Sequence, residues 1–197
     1  EVHACLRRVD ELSPLMDACE RRRWQARMAD AAYHLGQHDQ FVELARSSQI
    51  PWYVAASERF ARRAPGARRC SLTLPVRVQE HKGCAPATLS MLFAYFGEQV
   101  DPKEVADAIC YDGTASQSER AWVEHYGWHF REFSLDLTTT RALIDRGVPF
   151  GVVTVEASSA HAQAVIGYDD LLGTLLLQDP TTAGIGDAAE AEFFERY

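Results

Sequence analysis

No stretch of this 197-residue sequence approaches the ~20 consecutive apolar residues that a membrane-spanning helix requires, so a membrane span is excluded as the organising feature. Cys-x-x-Cys pairs are also missing. The five cysteines, Cys5, Cys19, Cys70, Cys84 and Cys110, are odd in number and widely spaced, which argues against a disulfide framework and a structural zinc site. Residues 1–70 contain no Lys at all; their 12 Arg stand against 9 acids, a balance of +3. Residues 71–197 carry 8 basic and 19 acidic residues, a balance of −11. An acidic second half excludes nucleic acid as its partner, because phosphate binding needs the opposite sign. No cofactor or metal motif stands out; His34 and His38 are split by Gly36 and read as a solvated turn.

The first residue is Glu1 rather than Met, and Glu195 to Tyr197 read as the interior of a helix. Both ends suggest a piece of a longer protein. Reduced thiols point to a cytoplasmic setting.

The charge shift near residue 70 coincides with a Pro65-Gly66 linker, giving two expected domains, 1–68 and 69–197. The first is helical in pattern. Ser13 before Pro14 is read as an N-cap, and Gly36 stops the run. Further helices are expected from about Asp39 and from Pro51. The stretch Ala32–Ala45 resembles the turn of a tetratricopeptide-type hairpin, which implies a helical region able to recruit a protein partner.

Beyond the linker the pattern turns to mixed α and β. An extended run at 72–78 leads to an apolar helix from Cys84 to Phe96. Asp101 to Glu104 reads as a capping box, and helices are expected at 116–126 and 138–146. Strands are expected at 128–135, 148–155, 161–168 and 174–178. Helices first and hairpin-spaced strands afterwards imply an α+β fold with an antiparallel sheet.

One constellation in this half carries chemistry. A thiol attacks only as the thiolate, so a reactive cysteine needs a lowered pKa and a proton acceptor. Cys84 follows Gly83 at the start of the apolar helix, where free N–H groups and the helix dipole favour negative charge. Gln79, five residues upstream, is positioned to donate its amide beside the Cys84 N–H to an oxyanion. His161 begins a strand after the small loop Ser158-Ser159-Ala160, and Asp179 ends the next strand before Pro180. A hairpin turning near 170–173 sets His161 and Asp179 side by side.

The segments VRVQEHKGCAPATLSMLFAYFG (76–97), AHAQAVIGY (160–168) and LLLQDP (175–180) resemble the bacteriocin-processing, double-glycine type of papain-like cysteine peptidase found in bacteria. The resemblance spans about residues 72–182. It implies a papain-like fold and a peptide or protein substrate. It also implies Gln79 in the oxyanion hole, Cys84 as nucleophile, His161 as base and Asp179 as orienting acid. One departure is Ala85, where the family usually has Gly after the cysteine. The same triad serves hydrolysis or acyl transfer to an amine, and a degenerate peptide-binding scaffold is the non-enzymatic alternative.

Overall fold

The computed structural model describes Cys5, Arg8, Val9, Leu12, Ser13 and residues 15–197. The chain forms two compact units. One runs to Ala67 and includes Leu171–Gly173; the other comprises Arg68–Asp170 and Thr174–Tyr197.

In the first unit, α1 (Ala18–His34), α2 (His38–Ser48) and α3 (Pro51–Ala61) follow in close succession. The N-cap of α1 is Asp17 rather than Ser13. Asp17 accepts from the Glu20 N–H at 2.8 Å, and Glu20 accepts from the Asp17 N–H at 3.2 Å. This reciprocal box satisfies two orphan donors and fixes the start of the helix. Pro14 lies outside the described residues. Gly36 sits at φ +72 in the turn to α2, a region costly for residues bearing a Cβ. Tyr33, Phe41 and Phe60 form the aromatic centre of this unit.

The second unit is built around an antiparallel sheet. Its strands are β1 (Arg69–Ser71), β2 (Phe150–Val155), β3 (Ala160–Asp169), β4 (Thr174–Gln178) and β5 (Ile185–Ala189). The long β3 pairs on one edge with both β2 and β1, and on the other with β4, which pairs in turn with β5. Helices α4 (Cys84–Tyr95), α5 (Pro102–Ile109), α6 (Ser116–His125), α7 (Leu137–Ile144) and α8 (Glu190–Arg196) complete the unit.

Side-chain parity explains how both faces of the sheet are covered. Leu176, Ala164 and Ile166 pack with Met91 of α4, whereas Leu175, Leu177, Val165 and Tyr168 pack with Ile144 of α7 and Phe193 of α8. Strict alternation would put Val165 and Tyr168 on opposite faces. The register shift between Val165 and Gly167 supplies the extra residue that returns Tyr168 to the face of Val165. A further cluster of Phe93, Val100, Val105, Trp122 and Val123 anchors α5 and α6 on α4.

The strand pattern departs from a simple reading of the sequence in three places. The extended run at 72–78 forms no ladder; the strand there is Arg69–Ser71, and only the Leu72 N–H continues it, donating to the Ile166 carbonyl at 2.8 Å. Residues 128–135 form no strand. Their apolar residues fall at 128, 130, 133 and 135, so the alternation breaks between Phe130 and Phe133 and one strand cannot present them on one face. They anchor by rings instead, Trp128 on Phe93 and Phe133 on Phe150. The elements β5 and α8 close the chain, where only a terminal helix was foreseen.

The β1–β3 pairing leaves no room for a side chain at Gly167. A Cβ there would lie 2.2 Å from the Cys70 carbonyl oxygen and 3.1 Å from the Ser71 Cα, both backbone atoms. Gly167→Ala is therefore expected to cost roughly 3 kcal/mol of stability. Urea unfolding checks this, and an unchanged midpoint would contradict the close approach.

Candidate active site

The site begins with a tight turn. The Gly83 N–H donates to the Glu80 carbonyl at 2.9 Å, and His81 within the turn takes φ +46, uncommon for a residue with a side chain. A Cβ on Gly83 would stand 2.8 Å from the Glu80 carbonyl oxygen, so glycine permits the closure. The turn delivers Cys84 as the first residue of the twelve-residue α4, with Gly83 as an N-cap that offers no side-chain bond. No acidic residue lies in that first turn. Cys84 and Ala85 thus occupy the first two positions of the helix, whose amides have no partner within the helix itself, while Pro86 has no N–H to offer.

Two bonds position this helix start against the sheet. Thr88, one turn below Cys84 and buried, donates its hydroxyl to the Ala162 carbonyl at 3.2 Å, next to His161. The Gln79 N–H donates to the Pro180 carbonyl at 2.8 Å, next to Asp179. The segments carrying the four sequence-selected residues are therefore stitched together by groups beside them. The Gln79 side chain donates through Nε2 to the His81 carbonyl at 2.9 Å; its Oε1 is buried without a hydrogen-bond partner among the described residues.

His161 and Asp179 are brought into direct contact. The β3–β4 hairpin pairs Ala164 with Gln178, and β3 runs on to His161 while the chain bends after β4. The His161 Nε2 then meets Asp179 Oδ1 at 2.9 Å, with both side chains a little over a quarter exposed. Among the described residues no hydrogen bond joins the Cys84 thiol to the ring.

Asp179 Oδ1 also accepts from the Thr181 N–H at 2.8 Å and from the Thr181 hydroxyl at 2.7 Å. Burial of the Asp179 carboxyl works upward on its pKa. The two Thr181 bonds and the His161 ring outweigh it and hold the group below the ordinary carboxylate range. Thr181 and Thr88 were not selected from the sequence. Asp-Pro-Thr is legible as a side-chain-closed turn, but the partner of Thr88 depends on how α4 packs.

A groove of about 830 Å³ opens beside this arrangement. Ala85 and Ala162, the neighbours of Cys84 and His161, lie in its wall, which combines apolar Leu89, Leu92, Trp128 and Phe150 with charged Arg131 and Glu132. Glu119 in the same wall is pushed upward in pKa, by burial first and by nearby Glu132 second.

Because the folded pKa of Asp179 lies below its unfolded value, the ionised group adds stability that is complete above about pH 4. That stability is lost as pH falls through the folded value. Asp179→Asn should therefore show a shallower acid limb in thermal melts followed against pH, and limbs that coincide would contradict the hydrogen-bonded carboxylate.

Residues 71–197 match the model of the Peptidase_C39 like family. Among solved structures, the chain is similar to the peptidase domain of Streptococcus ComA, described as a bifunctional ABC transporter involved in a quorum-sensing pathway. The TM-score is 0.52 at 18% identity, over 62% of this chain and 90% of that one. No curated protein matches the sequence. Among the described residues no helix is long and apolar enough to cross a membrane. With a family match over most of its length and the fold of that peptidase domain, the chain belongs to the Peptidase_C39 like family: it is a cysteine peptidase of α+β, papain-like fold, acting on a peptide or protein substrate.

Proposed function

We propose that this peptidase works through Cys84 as nucleophile, His161 as general base, Asp179 as orienting acid, and Gln79 with the Cys84 N–H as oxyanion donors. The observation that carries the reading is the 2.9 Å bond between His161 Nε2 and Asp179 Oδ1, taken together with a cysteine as the first residue of a helix whose N-cap offers no side-chain bond. With Nε2–H committed to the carboxylate, Nδ1 is the free acceptor for the thiol proton. Thr88 to Ala162 supports bringing the thiol and the ring together, and thiol–imidazole contacts commonly tighten only when substrate binds.

In this mechanism the thiolate attacks the scissile carbonyl, and the oxyanion takes hydrogen bonds from the Cys84 N–H and the second hydrogen of Gln79 Nε2. The tetrahedral adduct expels the amine as His161 delivers its proton to that nitrogen, leaving a thioester. Water then gives a proton to His161, attacks the thioester and releases the acid and the thiol. The groove next to Ala85 and Ala162, with its mixed apolar and charged wall, suits the substrate chain flanking the cleaved bond. Residues 1–68 are read as a tetratricopeptide-like helical domain preceding the 69–197 peptidase domain, and they supply a surface for a protein partner.

Brief treatment with limiting iodoacetamide at mildly acidic pH, read by intact mass, tests the triad. A single adduct on Cys84 is expected, slowed roughly a hundredfold in His161→Ala and absent in Cys84→Ala, since unactivated thiols hold little thiolate there. Labelling spread over the cysteines and indifferent to both substitutions would overturn the assignment.

A further inference from the structure

We propose that Thr181 is a positioning residue for the reaction, its hydroxyl fixing the Asp179 oxygen that receives the His161 ring. The inference rests on the triad reading above and adds to it a fourth side chain that touches neither thiol nor substrate. Oδ1 of Asp179 accepts from three donors: the His161 ring at 2.9 Å, the Thr181 N–H at 2.8 Å and the Thr181 hydroxyl at 2.7 Å. The backbone donor alone suffices to close the turn after Asp179, as in any aspartate-led turn. The hydroxyl is the additional group. Thr181 is an exposed residue, and its hydroxyl donates to the carboxylate.

Three convergent donors hold one carboxylate rotamer, with Oδ1 toward Nε2. That choice sets the ring tautomer and leaves Nδ1 as the proton acceptor. Without the hydroxyl the carboxylate gains torsional freedom, and water replaces a fixed donor. The imidazolium formed when His161 takes the thiol proton is then less well stabilised, so the thiolate persists over a narrower range on the acid side.

The test is the rate of iodoacetamide alkylation at Cys84 against pH, for wild type, Thr181→Val, Thr181→Ser and His161→Ala, with thermal melts of each. Valine keeps the shape and the backbone N–H but removes the hydroxyl; serine keeps the hydroxyl. The acid limb of Thr181→Val is expected to move to higher pH, with the rate on that limb down roughly fivefold, and Thr181→Ser to follow wild type. Should the valine variant not fold, Thr181→Ala removes the same hydroxyl with a smaller side chain and carries the same expectation. A valine or alanine limb that coincides with wild type, or a serine limb displaced as far as valine, overturns the role of Thr181. If His161→Ala also leaves the profile unmoved, the triad reading falls with it; if His161→Ala moves it and Thr181→Val does not, only the Thr181 proposal fails.

Discussion

Antiparallel pairing along β3 is the constraint on which the second unit depends. This ten-residue strand is shared by β1 and β2 on one edge and β4 on the other, and its central residues are buried. Its ladder fixes which side chains meet α4 and which meet α7 and α8. Gly167 lets β1 approach, and the bulge beside it keeps Tyr168 in the core. Because His161 lies near one end of this strand and Asp179 follows the partner strand, the same ladder that orders the core aligns the ring with its carboxylate.

The helix carrying Cys84 reaches the sheet by a different logic. A strained turn at His81 and a glycine with no room for a side chain set its start, and the apolar face of α4 packs on Ala164, Ile166 and Leu176. Two modest hydrogen bonds, from Thr88 to Ala162 and from Gln79 to Pro180, then fix the turn between helix and sheet. Neither bond involves a proposed catalytic side chain. Such supporting contacts leave the thiol, ring and carboxylate free for chemistry while limiting how far they drift.

Much of this was legible in the sequence because the signals were local. Proline at the start of α3, glycine after α6, the run of β4 and the cysteine opening α4 each express the backbone preference of one residue or a short period. The strand expected at 128–135 failed because its ring spacing suits anchoring points rather than a pleated face. Ser13 lost to Asp17 because a reciprocal partner three residues on outweighs a single hydroxyl. Within the site, the His161–Asp179 contact followed from hairpin reasoning. The Thr88 bond and the groove beside Ala85 depend on tertiary packing, which no local pattern encodes.

Whether Cys84 and His161 form an activated pair held by Asp179 is read from thiolate ultraviolet absorbance followed against pH in wild type, Cys84→Ala and His161→Ala. A thiolate signal at mildly acidic pH that requires both Cys84 and His161 is expected. A wild-type protein without that signal, or a signal left unchanged when His161 is replaced, would contradict the activated pair.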